Sequence, residues 1–360
     1  MLTENEKYIR RCIQLAQNGM NETSPNPRVG AVIVHDKKII GEGYHIRHGE
    51  PHAEVNAINA VKNKSLLEES TLYVSLEPCS HFGKTPPCAD LIIKEKIPKI
   101  VIGCLDPSKK VAGKGVKKLR EANREVTTGV LEQECQELIK RFTVFNMLNR
   151  PYITLKWAQS ADGYMDYIRT GGKATKLSSD LSTLITHKRR AETDAILVGT
   201  RTALLDNPSL NVRHWYGENP LRLVLDRNLT LPLNLNIFKD QAPTVILSAS
   251  AREGKNNLQY IPIKYGKDFL ANLLSELYAR NIQSVLVEGG SQLLQTFINE
   301  NLWDEAFIEQ TPILLNKGIE APIIRNAWAF KEEMMKKLGY RNIHVIKDLS
   351  GKERFIKADK

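Results

Sequence analysis

The chain has 360 residues, of which 42% are hydrophobic and 26% are charged, and its formal net charge is +10. This composition excludes disordered and fibrous proteins, and the lack of any apolar run of about 18–20 residues excludes a membrane span. Five cysteines, an odd number, make a poor disulfide framework, and no apolar signal segment opens the chain. We therefore expect a cytoplasmic protein.

Helices and strands alternate through the first 148 residues. Thr3 and Glu6 fit a capping box at the start of a helix that Gly19 ends, and the runs 29–34 and 38–44 predict a hairpin. The other predicted elements are helix 53–61, strand 71–76, helix 89–94, strand 99–104, helix 116–122, strand 125–129 and helix 132–146. Such alternation predicts a layered α/β domain.

The alternation starts again after Arg150-Pro151, so we divide the chain into domains 1–148 and 149–360. In the second domain the predicted strands are 152–157, 195–198, 222–225, 244–247, 284–287 and 305–308. The predicted helices are 180–190, 269–279 and 291–300. The fold class is therefore α/β in both domains.

A histidine, a glutamate and two cysteines carry the strongest chemical signal of the first domain. His52 and Glu54 stand at the start of a predicted helix, and Cys79 and Cys88 follow later in the chain. One imidazole and two thiolates leave the fourth position of a tetrahedral zinc for water, whose pKa the metal lowers. Glu54 is placed to carry the proton of that water to a leaving amine. The order H-x-E…P-C…C is the signature of zinc deaminases, whereas His81 as a fourth ligand would make the zinc structural.

Three segments resemble the motifs of bacterial riboflavin-biosynthesis deaminases. Residues 23–34 resemble their TxPNPxVG opening, residues 52–57 their HAEVxA, and residues 77–88 their EPCSHxGxTPPC. Eight residues separate the two cysteines, whereas most nucleoside and tRNA deaminases have two residues there. The sequence is therefore similar to the bifunctional deaminase–reductases of the RibD or RibG type.

This resemblance implies a cytidine-deaminase-like α/β/α zinc domain at the N-terminus. Its expected substrate is 2,5-diamino-6-ribosylamino-4(3H)-pyrimidinone 5′-phosphate, from which zinc-bound hydroxide would displace ammonia. By position, the residues expected to hold this substrate are Asn26, His45, His81, Lys84 and Asp106. Lys84 could pair with the phosphate, and Asn26 offers a donor and an acceptor to the pyrimidine edge. Lys84 as a solvated loop residue and Asp106 as part of a simple turn are the alternatives.

The second domain carries a glycine-rich turn between a strand and a helix, at residues 287–291. Backbone N–H groups in such a turn can approach a phosphate, although the turn is not G-x-G-x-x-G and could be purely structural. Residues 156–163 and 190–213 resemble the K-x-x-x-S-x-D-G and R-A…D-[DN]-P-x-L-x-V-R segments of the reductase domain of the same family. The resemblance implies a dihydrofolate-reductase-like α/β fold that uses NADPH.

Reductase roles follow from the same resemblance. The residues expected to line the substrate are Lys156, Arg190, Leu210, Arg213 and Glu288. The residues expected to border NADPH are Ala158, Thr202, Asp206, Gly290, Ser291, Gln292, Leu293, Leu294, Gln295 and Thr296. The two arginines suit the 5′-phosphate, and Glu288 could accept hydrogen bonds from ribose hydroxyls. Lys156 would orient the substrate or assist protonation, unless it is only a surface lysine.

One segment departs from the family. Where the family commonly has S-x-W-I-[ST], residues 174–178 place Lys176 at the position of the aromatic ring, and the preceding segment 164–173 is slightly longer than usual. A monofunctional deaminase with a degenerate reductase domain is therefore one alternative.

The net charge of +10 motivates a second alternative, a nucleic-acid base deaminase. The charge is spread over both halves of the chain, and the long insert between the cysteines also argues against it. We therefore expect a small pyrimidine ribosyl phosphate as the substrate, no nucleic-acid or membrane partner, and a homo-oligomer.

Overall fold

The computed structural model describes residues 2–19, 22–82, 86–108, 112–239 and 242–324, together with the backbone of 343–347 and 353–359. The chain divides into two compact units, Met1–Arg150 and Pro151–Lys360. Within the described part of the chain, no helix has the length and apolar character needed to cross a membrane.

The first unit begins with the predicted capping box. Thr3 Oγ1 accepts the Glu6 N–H at 3.3 Å, and the Glu6 carboxylate accepts the Thr3 N–H at 2.8 Å. Two 3-10 helices, Gln17–Gly19 and Lys64–Glu69, lie among the other elements. The α-helices and β-strands of this unit are α1 (Glu4–Ala16), β1 (Gly30–His35), β2 (Lys38–Tyr44), α2 (Ala53–Ala60), β3 (Thr71–Leu76), α3 (Cys88–Lys94), β4 (Lys99–Cys104), α4 (Lys114–Glu121), β5 (Glu125–Thr128), α5 (Glu132–Leu138) and α6 (Lys140–Leu148).

The five strands form one mixed sheet in the order β2-β1-β3-β4-β5. Strand β1 is antiparallel to β2 and β3, whereas β3, β4 and β5 are parallel. Alternate side chains pack on opposite faces, as in Ile33 against α2 and α3, and Val32 against α1 and α5. The sheet is thus covered on both sides, which gives the three layers expected of the domain.

The helix predicted over 132–146 is two helices, so that prediction was wrong. Ile139 leaves the helical conformation at φ −108° and ψ 13°, and α6 starts directly after it. Its side chain is buried in the same core cluster as Cys135, and Phe142 packs against that cluster. Tertiary packing therefore overrides the continuous helical pattern of the sequence.

The second unit contains all six predicted strands and all three predicted helices, together with short elements that we did not predict. Its elements are β6 (Tyr152–Gln159), β7 (Tyr164–Asp166), α7 (Asp180–Ala191), β8 (Ala195–Val198), α8 (Thr200–Asp206), β9 (Leu221–Leu225), α9 (Asn236–Lys239), β10 (Thr244–Ser248), β11 (Leu258–Pro262), α10 (Phe269–Ala279), β12 (Ser284–Val287), α11 (Ser291–Asn299), β13 (Glu305–Gln310), β14 (Ile319–Glu320), β15 (Ile343–Lys347) and β16 (Glu353–Asp359).

A nine-stranded sheet organises this unit, in the order β11-β10-β9-β8-β12-β6-β13-β16-β15. The strands from β11 to β13 are parallel, and β16 and β15 continue the sheet antiparallel. Because β8, β12 and β6 are neighbours, the residues that follow them meet at one edge of the sheet. In open α/β sheets this edge, at the carboxyl ends of the strands, is where ligands bind.

Candidate active sites

Three metal-ligating side chains converge in the first unit. His52 caps the N-terminus of α2, Cys79 follows β3, and Cys88 opens α3. His52 Nδ1 lies 3.6 Å from Cys79 Sγ and 3.3 Å from Cys88 Sγ, and the three ligand atoms lie within 4.8 Å of one another. Metal–ligand bonds of roughly 2.0–2.3 Å in a tetrahedral zinc site require such separations. The donor set and its spacing therefore fit zinc.

Cys79 is prepared to act as a thiolate. Hydrogen bonds from the Cys88 thiol, from His52 and from the Cys88 N–H, the last at 3.3 Å, lower the pKa of Cys79 despite its burial. The thiolate is the form of cysteine that binds zinc. Among the described residues, this group has three members, and His81 lies outside it. The arrangement corresponds to a site with one open position rather than to a structural site with four protein ligands.

Glu54 lies in the first turn of α2, two residues after His52. Its side chain is 3% exposed and lines the same cavity as His52 and Cys79. Burial and the neighbouring Cys79 raise the pKa of Glu54 to about 7. Glu54 therefore shares the cavity with His52 and Cys79 without being one of the clustered ligands.

The cavity above the metal group has a volume of about 330 Å³, which suits a small-molecule ligand. The predicted residues that line it are Asn26, His45, His52, Glu54, Cys79, His81 and Asp106. The lining residues that we did not predict include Glu77, Ser108, Phe142 and Asn146. The predicted substrate residue Lys84 lies outside the described residues.

His45 orients Asn26. The His45 Nδ1 lies 3.1 Å from the carbonyl oxygen of Pro51, which can only accept, so Nδ1 carries the proton. Burial lowers the pKa of His45, which keeps the ring neutral, and its Nε2 must then accept from Asn26 Nδ2 at 3.1 Å. The Asn26 amide group therefore points its nitrogen at His45 and keeps its carbonyl oxygen for a ligand. His45 itself is 2% exposed and acts through Asn26.

Glu77 lines the cavity, and sequence reasoning assigned it no role. Its carboxylate is 3% exposed and accepts the backbone N–H groups of Asp106 at 3.2 Å, Gly113 at 2.9 Å and Val116 at 3.1 Å. These bonds tie the end of β3 to the loop before α4 and to the first turn of that helix. Its sequence signal was its place as the first residue of the motif at residues 77–88, directly before Pro78-Cys79.

Asp106 lies both in a turn and in the lining of the cavity. Its Oδ1 accepts the Ser108 N–H at 2.7 Å, which is an Asx turn, and its side chain also lines the cavity. Burial raises the pKa of Asp106 to about 6, with Glu77 and Cys79 adding to the effect and the Ser108 bond opposing it.

Helix α6 supplies two cavity residues without any sequence motif. Phe142 and Asn146 stand one helical turn apart, and Asn146 Nδ2 donates to the Phe142 carbonyl at 2.8 Å. The i, i+4 spacing was visible in the sequence, but it reads equally well as an ordinary amphipathic helix. Phe142 gives the cavity a flat apolar wall of the kind on which a pyrimidine ring can pack.

In the second unit, Arg190 and Glu288 form a bidentate ion pair. Arg190 Nε lies 2.9 Å from Glu288 Oε1, and Nη2 lies 2.6 Å from Oε2. Burial opposes ionisation of Glu288, but Arg190 holds the pKa of that carboxyl below its usual range. Arg190 also donates through Nη1 to the Asn211 carbonyl at 3.2 Å. The pair joins α7 to the residue directly after β12.

A cleft of about 630 Å³ opens at the carboxyl ends of β6 and β12. The predicted residues that line it are Lys156, Ala158, Thr202, Asp206, Glu288, Gly290, Ser291 and Gln292. Burial lowers the pKa of Lys156, while Glu288 and Glu309 oppose that shift. Lys156 thus faces a cleft rather than an open strand surface.

Other predicted reductase residues are not among those that line this cleft. Leu210, Leu293 and Leu294 are buried in hydrophobic core clusters, and Arg213 is exposed. Gln295 Oε1 accepts the Ile323 N–H at 2.7 Å, and Thr296 Oγ1 donates to the Gln292 carbonyl at 2.8 Å. Their predicted roles stay predictions.

The glycine-rich turn permits a close approach of two elements. A Cβ on Gly289 would lie 2.8 Å from Thr202 Cγ2, and Gly290 has φ +76°, a conformation that favours glycine. The N-terminus of α11 therefore reaches α8 at the border of the cleft. The turn stands at the N-terminus of α11, where backbone N–H groups have no partner within the helix.

His187 supports the predicted phosphate residue Arg213. The side chain is 3% exposed, and its Nδ1 accepts the Arg213 N–H at 3.0 Å. The ring packs edge-on against His214, with centroids 4.8 Å apart. Burial, followed by the charges of Arg190 and Arg213, lowers the pKa of His187 to about 4.

Comparisons with known proteins agree with this geometry. The RibD C-terminal domain matches residues 151–343, and the cytidine and deoxycytidylate deaminase zinc-binding region matches residues 2–104. The riboflavin biosynthesis protein RibD of Aquifex aeolicus (strain VF5) is 39% identical over 325 residues, which cover 89% of this chain and 90% of that protein. RibD of Bacillus amyloliquefaciens is 40% identical over 335 residues, covering 91% and 89%.

A solved structure is similar over nearly the whole chain. It is the crystal structure of a diaminohydroxyphosphoribosylaminopyrimidine deaminase/5-amino-6-(5-phosphoribosylamino)uracil reductase from Thermotoga maritima. It is 34% identical, with a TM-score of 0.83 and 98% of each chain covered. Together these matches confirm the expected fold class, a deaminase-like zinc domain followed by a reductase domain.

Glu77→Gln tests whether the backbone-held carboxylate positions Asp106. The amide retains one acceptor but turns an NH₂ group towards backbone donors, so the loop before α4 should shift. We expect the KM of deamination to rise roughly tenfold, because a loss of about 1.4 kcal/mol in binding corresponds to that factor. Zinc content, measured by atomic absorption, should stay at the wild-type value. An unchanged KM would contradict the prediction.

His187→Gln tests the neutral histidine beside Arg213. Between the ordinary histidine pKa of about 6.5 and the folded value of about 4, only the unfolded chain binds the proton, so stability falls as the pH falls through this window. Glutamine keeps an acceptor for the Arg213 N–H but does not titrate. Urea unfolding at about pH 7 and about pH 5 should therefore show a larger loss of stability in the wild type than in the variant. Equal losses would argue against a neutral His187.

Proposed function

The chain belongs to the RibD family of riboflavin-biosynthesis proteins, which join a deaminase to a reductase, and we propose that it performs both reactions on one phosphorylated pyrimidine. The first substrate is 2,5-diamino-6-ribosylamino-4(3H)-pyrimidinone 5′-phosphate. Deamination, followed by NADPH-dependent reduction of the ribosyl group, gives 5-amino-6-(5-phosphoribitylamino)uracil. The name of the Thermotoga maritima protein, which is similar over 98% of the chain, supports this choice of substrates.

The proposed deaminase activity is supported by one observation, the convergence of His52, Cys79 and Cys88 beside the buried Glu54. Zinc, when held by these three ligands, would supply a polarised water. Glu54 removes a proton from the attacking water and returns it to the departing amine, so that ammonia leaves. The Asn26 carbonyl oxygen accepts from an N–H on the pyrimidine edge, and Phe142 packs on the ring.

For the reductase, the support is the cleft that Lys156 and Glu288 share. NADPH, when bound in this cleft, would supply the hydride that reduces C1′ of the ribosylamine. Glu288, held ionised by Arg190, accepts from ribose hydroxyls, and Lys156 donates the proton needed when the sugar ring opens. Arg213, positioned by His187, binds the 5′-phosphate together with Arg190.

We assign deamination to residues 1–148 and reduction to residues 149–360, an assignment supported by the two compact units. A cytoplasmic location is supported by five free cysteines, since disulfides are rare in reducing compartments. A homo-oligomer is supported by the exposed Leu181 and Leu184 on α7, because such apolar surface is common at subunit interfaces. A small-molecule substrate leaves no role for nucleic acid.

The direct test is one assay of the purified full chain with the diaminopyrimidine phosphate, with and without NADPH. Ammonia release and the loss of NADPH absorbance are followed separately. We expect ammonia in both reactions and NADPH oxidation only where the cofactor is present. Ammonia without NADPH oxidation would contradict the bifunctional proposal and leave a monofunctional deaminase.

Glu54→Gln should abolish deamination while zinc stays bound. Glutamine cannot shuttle a proton, and loss of general acid–base catalysis lowers rates by roughly 100-fold or more. Zinc content and ammonia release are measured on the same preparation. The matched control is Glu68→Gln, an exposed residue paired with Lys96, which should behave as wild type. Loss of zinc from Glu54→Gln would instead make Glu54 structural.

Arg190→Ala should impair reduction and leave deamination unchanged. The variant leaves Glu288 buried without its partner, and truncating such a pair costs at least about 2 kcal/mol, more than tenfold in reductase kcat/KM. NADPH oxidation is measured with the already deaminated substrate, and ammonia release on the same preparation is the control. Equal damage to both reactions would contradict separate sites.

A further inference from the structure

The segment between β7 and α7, residues 167–179, forms part of the wall of the reductase cleft. It is the segment in which Lys176 stands at the family's aromatic position. The Lys176 side chain is 75% exposed and pairs at 2.9 Å with Asp180, which is itself 93% exposed. Lys176 therefore lines the cleft, but its ammonium group pairs with an exposed residue at the start of α7.

Arg169 is the partly buried cation of this segment. Its side chain is 12% exposed and contacts four groups from three parts of the chain. Arg169 Nε donates to Asp166 Oδ2 at 2.5 Å, and Nη2 pairs with Asp206. Nη1 donates to the carbonyl oxygens of Leu205 at 3.0 Å and Gly172 at 3.2 Å.

The number of free N–H donors limits what Arg169 can bind. A guanidinium has five N–H groups, and the contacts of Arg169 use four of them. Too few remain for bidentate recognition of a phosphate. Arg169 is thus a clamp that joins β7, the segment 167–175 and the C-terminal end of α8.

The clamp also changes the charge of the cleft. Asp166 and Asp206 are two carboxylates in a wall that is expected to receive a cofactor with several phosphates. Arg169 contacts both of them, so the positive charge lies where it offsets their repulsion of an anion. Asp166 additionally accepts from the Thr175 N–H at 3.1 Å and from Thr175 Oγ1 at 2.6 Å, which fixes the far end of the segment.

We propose that Arg169 is a positioning residue for NADPH, which holds the 167–175 wall against α8 and offsets part of the negative charge of Asp166 and Asp206. It replaces, by a polar clamp, the ordering that an aromatic residue would give to this wall. The inference rests on the proposed reductase function. A wall that is ordered before binding need not be ordered by the cofactor, which removes an entropic cost of association.

The test compares Arg169→Ala and Arg169→Lys in the full-length chain. We expect the Kd for NADPH, from fluorescence titration, to rise roughly tenfold in Arg169→Ala and by a smaller factor in Arg169→Lys, which keeps the charge but not the fork. The KM for NADPH should rise with kcat little changed, and ammonia release should stay at the wild-type rate. The matched control, Arg280→Ala, removes an exposed arginine that pairs with Glu276 on α10 and should leave the Kd unchanged.

Two further measurements separate positioning from mere stabilisation. Because the two carboxylates repel the cofactor once Arg169 is gone, added salt should lower the Kd of Arg169→Ala, and the double variant Arg169→Ala/Asp206→Asn should recover part of the affinity. A merely structural role would lower the melting temperature without a salt-dependent Kd or any rescue.

Wild-type affinity for NADPH in both Arg169 variants would overturn the proposal while the reductase function stands. A wild-type chain that neither binds nor oxidises NADPH would overturn the reductase function, and this proposal with it.

Discussion

The deaminase half depends on one constraint, that three ligand atoms from separate elements must lie within 4.8 Å of one another. This requires α2 to lie very close to the sheet, so that its N-terminal His52 reaches the end of β3. Gly43 on β2 makes that possible, because a Cβ there would lie 2.4 Å from the Ala57 nitrogen of α2. The small residues of α2 that face the sheet, Ala53 and Ala57, have the same consequence. The metal chemistry thus determines side-chain size at positions that never contact the metal.

Buried carboxylates support both sites, and they are stabilised in different ways. Glu77 is stabilised by backbone N–H groups, so its charge fixes the course of a loop. Glu288 is stabilised by Arg190, so its charge joins a helix to the end of a strand. Burial of a carboxylate without a partner would lower the free energy of unfolding by several kcal/mol. Each arrangement therefore tolerates few substitutions. The backbone hydrogen bonds of Glu77 shape a cavity, whereas the ion pair of Glu288 with Arg190 keeps an ionised carboxylate next to the cleft.

The sequence predicted those features that local pattern determines. Spacing and periodicity predicted the three metal ligands, the order of the strands along the chain and most helix positions. The resemblance supplied the substrate classes. Glu77, Phe142 and Arg169 were missed because their roles arise from contacts with residues distant in the chain. The break at Ile139 was missed for the same reason, since burial of that side chain is a property of the folded core. Strands such as β7 and β14 are too short to carry a period of two.

At residues 174–178 the chain departs from the family motif, which shows that a residue can be lost while its structural effect is kept. A comparison of motifs registers a lysine in place of an aromatic ring and predicts a weakened cofactor wall. Arg169 stands seven positions earlier, outside the motif, and its contacts reach α8. An aromatic side chain orders a wall by apolar contact, which salt hardly affects, whereas a clamp of two carboxylates and a guanidinium is electrostatic. Because the Arg169 side chain is only 12% exposed, screening by salt reaches it weakly, and the clamp can serve in place of packing.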